Sequence, residues 1–353
     1  MAMVGPDGAL PLPWLGPLLK QTLQQRTHAL LLQGPQGVGQ FEMALTLAQA
    51  WLCERTSGRT PCGVCTSCHL VQAHSHPDLL VLLPEILQDA LGWGTASGDE
   101  ATTEKAGKAK PSKEIKVDSV RSAVTFAQTT SARGRGKVVV LHPAERMNHV
   151  SANTLLKTLE EPPGASRFIL SCSSPDSLLP TIRSRCQSVL LQLPPPDVAT
   201  RWLHERGVAE PAVLLAATGG QPQEVLQWIK QGVDAALWLR LPAIVARGET
   251  QALASWPLPR LIDALQKLCH DAACVAAGAP PRYFPPTALA PGASAVALGE
   301  WMRELNRCAR HAEHAWNASL MLESLLQQGQ RALRSPVAET ATKQRVSVHS
   351  RAW

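Results

Sequence analysis

The chain has 353 residues, which is too long for one compact core and predicts two or three domains. Hydrophobic residues make up 45% of the sequence, which excludes a wholly disordered chain. The net charge of +6 is compatible with acidic partners but too diffuse to establish nucleic-acid binding. No apolar run approaches the ~18 residues of a membrane span, and residues 1–12 show no signal-peptide pattern. We therefore expect a cytoplasmic protein without a membrane partner.

In the first half of the chain, short apolar runs alternate with helical patterns. This alternation predicts an α/β domain whose parallel sheet is covered by helices on both faces. Strands are predicted over residues 28–33, 79–83, 137–141, 167–172 and 188–193, and helices over residues 38–51, 117–128 and 151–161. Residues 84–113 show little periodicity and are interpreted as a flexible surface insertion.

Three prolines at residues 194–196 end this alternation, and only helical patterns follow. Helices are predicted over residues 197–207, 211–219 and 222–232, and the apolar spacing over residues 295–333 predicts one long or two shorter amphipathic helices. Residues 280–291 are interpreted as a linker, and the polar tail over residues 335–353 is predicted to be disordered.

Four of the nine cysteines lie close together, in the pattern C-x8-C-x2-C-x2-C formed by Cys53, Cys62, Cys65 and Cys68. A two-residue spacing brings two thiolates to one ion through a tight turn, and Zn²⁺ binds four thiolates tetrahedrally. Because four sulfur ligands leave no position for a reacting water, we predict a structural Zn²⁺. An iron–sulfur cluster and four unrelated free cysteines are the less favoured alternatives.

The segment after the first predicted strand reads Gly-Pro-Gln-Gly-Val-Gly-Gln-Phe. The phosphate-binding loop of nucleotide hydrolases has the pattern G-x-x-x-x-G-K-[ST] between a strand and a helix. Gly34 and Gly39 match its two glycines, and Gly37 lies between them. Gln40 replaces the lysine that reaches the phosphates, and Phe41 replaces the hydroxyl that holds magnesium. We therefore predict a degenerate phosphate loop without a functional ATP site.

The third predicted strand ends without the acidic residues that hold magnesium in nucleotide hydrolases. His142 and Pro143 stand at this position, and Glu145 is expected to face solvent near a helix start. Two independent losses at one site predict that the chain does not hydrolyse nucleotide.

Two further motifs point to a family. Residues 153–163 read N-T-L-L-K-T-L-E-E-P-P, and Ser184, Arg185 and Cys186 follow some twenty residues later. Together with the four-cysteine module, these motifs resemble the clamp-loader AAA+ subunits of bacterial DNA polymerase III. The motor subunits of that family, gamma and tau, keep the lysine, the hydroxyl and the acidic pair. Because this chain has lost them, it is most similar to the delta-prime subunits.

The resemblance implies a three-part architecture that agrees with the sequence break at residues 194–196. Its parts are a RecA-like AAA+ domain at 1–195 with the zinc module at 53–68 and the insertion at 84–113, a small helical lid domain at 196–248, an all-α collar domain for oligomerisation at 249–334, and a disordered tail at 335–353. Gln223 stands where the lid of related subunits carries an arginine that senses nucleotide.

The resemblance also implies a place in a ring of subunits that opens a sliding clamp and closes it around primed DNA. The implied partners are the motor subunits (gamma or tau) and the delta subunit, with the clamp and primer–template DNA reached through the complex. Arg185 would act in trans at a neighbouring motor subunit's ATP site, where an arginine neutralises charge on the transferring phosphoryl group. An ion pair within its own chain is the other interpretation of Arg185.

Two other functions stay open on the sequence. One is an active, gamma- or tau-like AAA+ ATPase subunit with a divergent nucleotide site that uses Glu145. The other is a zinc-dependent DNA-binding module, which would need a basic surface around the cysteines. A basic cluster at Arg133, Arg135 and Lys137 fits either a contact with DNA phosphate or a flexible turn before a strand.

Overall fold

Within residues 3–55, 60–94, 111–311 and 317–334, which the computed structural model describes, five strands form one parallel sheet. They are β1 (Ala29–Gln33), β2 (Leu79–Leu82), β3 (Val138–Leu141), β4 (Arg167–Cys172) and β5 (Gln187–Leu190). Their order in the sheet is β2-β3-β4-β1-β5, so the first strand lies between the last two. The predicted strands are confirmed, each within three residues at either end.

Helices cover both faces of this sheet. Those that precede residue 190 are α1 (Gly16–Leu23), α2 (Gln40–Leu52), α3 (Thr66–Gln72), α4 (Glu85–Gln88), α5 (Val117–Gln128), α6 (His149–Glu160) and α7 (Pro180–Arg183). Side chains of α5 and α6, such as Val120 and Leu155, share one buried cluster with Leu31, Val139 and Phe168 of the strands. The almost fully buried α2 packs against β1, β3 and β4 outside that cluster. Strand residues alternate between the two faces, and the apolar runs of β1 and β3 are accordingly buried throughout.

The predicted insertion at 84–113 is fastened where it leaves and rejoins the domain. The Glu85 carboxylate accepts a hydrogen bond from the Ser112 backbone N–H at 2.8 Å and pairs with Lys116. The Trp93 ring stacks on His74 with 3.9 Å between the ring centroids. The expectation of an insertion without regular structure is therefore wrong for residues 84–94. These residues contain α4 and the Trp93 ring that stacks on His74. The rest of the insertion, from residue 95 to residue 110, lies outside the described residues.

From residue 196 on, the described residues form helices and loops without a strand. The helices are α8 (Pro196–His204), α9 (Pro211–Ala217), α10 (Pro222–Lys230), α11 (Ala235–Arg247), α12 (Leu258–Ala276), α13 (Ala295–Arg310) and α14 (Ala318–Leu333). The periodicity over residues 295–333 thus belongs to two helices. The predicted disordered tail lies outside the described residues. No described helix has the length and apolar character that crossing a bilayer requires.

The chain divides into two compact units, residues 1–198 and residues 199–353. In the second unit α11 contacts both α9 and α14. Gly329 of α14 allows a close approach, because a Cβ at this position would lie 2.5 Å from Trp301 Cζ2 and 2.8 Å from Val245 Cγ1. The boundary between a lid and a collar at residue 248 stays a prediction.

The segment 280–291, which the sequence suggested as a linker, is packed instead. The fully buried carboxylate of Asp271 accepts hydrogen bonds from the backbone N–H groups of Arg282, Tyr283 and Phe284 at 2.6–2.9 Å. The Phe284 ring stacks on Trp238 with 4.4 Å between the ring centroids. Prolines and polar residues predicted a linker, but the buried Asp271 carboxylate on α12 and the Trp238 ring on α11 order the segment. Residues 280–291 are therefore a packed loop.

Candidate functional site

The loop between β1 and α2, whose sequence matches the two glycines of a phosphate loop, is closely packed at both of them. Gly39 has a φ of 107°, and a Cβ on it would lie 2.2 Å from Leu12 Cδ1. A Cβ on Gly34 would lie 2.4 Å from the backbone oxygen of Leu191, beside the sheet. Both glycines are therefore required by close contacts that need no bound nucleotide.

Gln40 fills this loop with its own side chain. Its Nε2 donates to the backbone oxygens of Gly34 at 2.6 Å and Pro35 at 2.7 Å, and the residue is buried. Phe41 is also buried, and its ring centroid lies 4.9 Å from that of His142. The two positions that carry the cation and the hydroxyl in an active loop thus hold a neutral amide and an aromatic ring.

The end of β3 offers no charge for a metal ion either. The Nδ1 of His142 lies 2.8 Å from Ser171 Oγ on β4, and burial lowers the pKa of His142 to about 4. His142 is therefore neutral at pH 7. The Glu145 Oε1 accepts hydrogen bonds from Ser173 N at 2.9 Å and Ser173 Oγ at 2.7 Å, while Oε2 is buried. The expectation that Glu145 faces solvent is wrong, because its carboxylate caps the end of β4.

The four predicted cysteine ligands lie together, and their sulfur atoms are all within 4.8 Å of one another. The Sγ–Sγ distances are 3.6 Å for Cys53–Cys62, 3.8 Å for Cys53–Cys65 and 3.9 Å for Cys62–Cys68. A tetrahedron with Zn–S bonds of about 2.3 Å has edges of about 3.8 Å. The arrangement therefore fits one tetrahedral metal ion with four sulfur ligands.

Local backbone geometry creates this arrangement. Cys65 is the N-cap of α3, and its sulfur accepts a hydrogen bond from the backbone N–H of Cys68 at 3.4 Å. Gly63, in the turn between Cys62 and Cys65, has a φ of 71°. A Cβ on Gly63 would lie 1.8 Å from the backbone oxygen of Gly5. The turn therefore needs glycine both for its conformation and for the passage of the N-terminal segment.

The N-terminal segment is bound to the cysteine module and to α2. The side chain of Gln49 exchanges two hydrogen bonds of 3.0 Å with the backbone of Val4. Gln72 Nε2 on α3 donates to the backbone oxygens of Val4 at 2.8 Å and Gly63 at 2.9 Å. Two glutamines thus connect the cysteine module, α2 and Val4.

The predicted basic cluster is paired within the chain. Arg133 Nε donates to Glu54 Oε1 at 3.0 Å and to Ser67 Oγ at 3.1 Å, and Arg133 Nη2 pairs with the same carboxylate. Arg135 Nη2 donates to the Glu54 backbone oxygen at 2.7 Å. These arginines therefore connect the loop before β3 to the cysteine module.

Asp78 also binds the loop before β3. Its carboxylate is fully buried and accepts hydrogen bonds from Ser131 Oγ, Ala132 N and Arg133 N at 2.8–2.9 Å, and it lies 3.2 Å from Lys137 Nζ. Burial by itself raises the pKa of Asp78, but the backbone donors outweigh it and the pKa is lowered. Asp78 is thus a buried anion with its partners in place. The cations of the predicted basic cluster serve this internal network.

Arg185 follows α7 and contacts α6. Its Nε donates to Glu160 Oε1 at 2.6 Å, and its Nη2 pairs with the same oxygen. Its Nη1 donates to the backbone oxygen of Thr181 at 2.9 Å. The next residue, Cys186, is buried, and burial raises the pKa of its thiol to about 12. Cys186 therefore packs in the core while Arg185 stays partly exposed.

The structure adds residues that sequence reasoning missed. Glu54, Asp78 and Glu160 each hold a cation of the predicted motifs, but they lie 25 to 79 residues from their partners in the sequence. Acidic residues at such separations give no periodic signal. Only the position of Glu160 inside the run N-T-L-L-K-T-L-E-E-P-P marked it as belonging to a motif.

Comparison with known proteins agrees with the motifs. Residues 17–195 match the family described as "DNA polymerase III, delta subunit". The DNA polymerase III subunit delta' of Pseudomonas aeruginosa is 36% identical over 265 residues, covering 71% of this chain and 74% of that protein. The subunit delta' of Escherichia coli is 31% identical over 286 residues, covering 74% of this chain and 78% of that protein.

Two further similarities are more distant. The DNA polymerase III subunit tau of Escherichia coli is 33% identical over 159 residues, which cover 45% of this chain and 20% of that protein. The crystal structure of a gamma subunit-related protein from Thermotoga maritima superposes with a TM-score of 0.50 at 17% identity, covering 90% of this chain and 98% of that one. The structural similarity concerns the fold alone.

Proposed function

Because the chain belongs to the delta-prime subunit family of bacterial DNA polymerase III, we propose that it serves the clamp loader without hydrolysing ATP itself, and that it supplies Arg185 to a neighbouring motor subunit. The observation that carries the first half is Gln40, whose amide occupies the phosphate loop. No cation stands at this position to reach a terminal phosphate, and no carboxylate stands at the end of β3 to hold magnesium.

Arg185 supports the second half of the proposal. Its side chain is 29% exposed, and it lies on the outside of α6 and α7 rather than in the core. An arginine at a subunit boundary stabilises the charge that develops on a transferring phosphoryl group. The guanidinium stays partly exposed while it pairs with Glu160. An ion pair within the chain and a role at a neighbouring ATP site are therefore compatible interpretations of Arg185.

The partners follow from the same family. We propose the motor subunits (gamma or tau) and the delta subunit as direct neighbours in the ring, with the sliding clamp and primed DNA engaged through the complex. In this proposal residues 196–248 act as the lid and residues 249–334 as the collar that holds the ring together.

The cysteine module is proposed to hold one structural Zn²⁺ through Cys53, Cys62, Cys65 and Cys68. The donor set of four thiols and the Sγ–Sγ distances support this metal, and a four-sulfur site is closed to water. The ion would fix the fold of residues 53–68.

An active ATPase subunit is the second candidate, because the sequences of tau subunits are similar to part of this chain. It would need Glu145 to hold magnesium, whereas Glu145 is engaged with Ser173. We therefore favour the subunit without hydrolysis.

The test is ATP turnover by a reconstituted loader with clamp and primed DNA. Arg185→Ala is compared with the unchanged chain and with Arg183→Ala, a matched control whose guanidinium pairs with the 97% exposed Asp176. We expect Arg185→Ala to lower turnover at equal assembly and Arg183→Ala to leave it unchanged. Equal turnover with Arg185→Ala would refute the trans role, and magnesium-dependent hydrolysis by the isolated chain would refute the first half.

Metal content tests the zinc proposal. We expect one zinc per purified chain by elemental mass spectrometry, reduced in Cys65→Ser and unchanged in Cys308→Ser, which alters a buried cysteine outside the module. Iron together with a visible charge-transfer band would contradict zinc and indicate a cluster.

A further inference from the structure

The guanidinium of Arg185 is held along one edge. The Nε–Nη2 edge faces Glu160, whose Oε1 accepts from both nitrogens. The backbone oxygen of Thr181 accepts from Nη1 at 2.9 Å, and Ser184 Oγ lies 3.4 Å from Nη1, at the outer limit of a hydrogen bond. A guanidinium has five N–H groups. The Nη1–Nη2 end of the group therefore keeps donor capacity for a second acceptor.

This division of the guanidinium matters for phosphate recognition. Arginine binds phosphate through N–H donors, and two of the five N–H groups, one on Nη1 and one on Nη2, are not used by Glu160 or Thr181. A carboxylate that accepts from both Nε and Nη2 restricts the orientation of the guanidinium plane. An unsupported arginine would instead lose rotamer freedom when it meets the nucleotide.

The position of Glu160 has no explanation in the stability of its own helix. Glu160 is the last residue of α6, where the helix dipole disfavours a negative charge. Its side chain is 48% exposed, so it does not fill the core. Glu160 and Glu161 are both exposed residues, but only the Glu160 carboxylate contacts Arg185. The contact with Arg185 is thus what distinguishes Glu160 from its neighbour.

We propose that Glu160 is a positioning residue, which orients Arg185 for the ATP site of the neighbouring motor subunit. The inference rests on the proposed function of Arg185. Glu160 does not touch the nucleotide in this proposal and acts through the guanidinium alone. The opposite role, a carboxylate that withholds Arg185 from the nucleotide, predicts an effect of opposite sign.

The test uses the reconstituted loader with clamp and primed DNA, and compares Glu160→Ala with Glu161→Ala. We expect Glu160→Ala to lower kcat for ATP by about threefold to tenfold with little change in KM, because orientation is lost while nucleotide binding is kept. Glu160→Asp, whose shorter carboxylate still carries the charge, should recover part of kcat. Glu161→Ala should match the unchanged chain, and all variants should assemble equally.

A double variant separates positioning from a structural role. In the Arg185→Ala background, Glu160→Ala should cause no further loss of kcat, because its effect passes through Arg185. A further loss there, or an increase of kcat with Glu160→Ala alone, would overturn the inference. Arg185→Ala without any loss would refute the proposed function itself, whereas a loss with Arg185→Ala but none with Glu160→Ala refutes only the role of Glu160.

Discussion

At the scale of single residues, Gln40 and Phe41, which stand where a phosphate loop has its lysine and hydroxyl, both have partners within the chain. Gln40 donates to two carbonyl oxygens of its own loop, and Phe41 lies against His142, which in turn contacts Ser171. Each replacement has acquired local partners. Restoring one lysine would therefore displace existing contacts without supplying the missing carboxylate at the end of β3.

The lowered pKa of His142 predicts that the free energy of unfolding depends on pH. Its folded pKa of about 4 lies below the ordinary value of 6.5, so the unfolded chain binds the proton more tightly. The stabilisation is complete above pH 6.5 and is lost as the pH falls from 6.5 through 4, by about 3 kcal/mol. We expect urea unfolding to report this loss relative to His142→Asn, whose side chain does not titrate.

The comparison with His142→Asn removes the contribution of other groups, such as the buried His76, which is present in both proteins. A constant difference in unfolding free energy between the two proteins from pH 7 to pH 4 would contradict the assignment.

At the scale of elements, the cysteine module and the loop before β3 form one assembly. Glu54 follows Cys53, Ser67 precedes Cys68, and both side chains bind Arg133. These contacts connect the cysteine module to residues 131–136.

Removal of the proposed metal ion should therefore increase the local opening of residues 131–136, which lie outside the module. After chelation, we expect amide hydrogen exchange over residues 131–136 to rise by on the order of tenfold, while β4 keeps its protection. Glu54→Gln should raise exchange in the same segment with the metal still bound. Unchanged exchange over residues 131–136 after chelation would show that Asp78 alone orders the loop.

Elements also show where prediction from sequence succeeds. The strands and α5 were predicted closely because apolar runs and a 3.6-residue period are local signals. Helix α3 was missed because seven residues around a cysteine turn give no period. The loop at 280–291 was misread because its order comes from Asp271, a residue on another element.

At the scale of the whole molecule, the sequence predicted the α/β part, the helical part and the cysteine cluster, since each depends on residue types at fixed spacing. The pairing partners of charged residues were not predicted. Those of Arg133 and Arg185 are 79 and 25 residues away, and only the folded chain brings them together. Patterns thus identified the candidate residues, and tertiary structure identified the residues that hold them.

The strand order has a consequence for the growing chain. β1 is made early, but its neighbours in the sheet are β4 and β5, and Ala29 pairs with Phe168 about 140 residues later. On the ribosome, both edges of β1 stay unpaired until β4 has emerged, and the edge that pairs with β5 stays unpaired until residues near 190 follow. The four cysteines of the module lie within residues 53–68, so they can come together as soon as this short segment has emerged. A metal ion bound there would order this segment of the nascent chain well before β4 and β5 pair with β1.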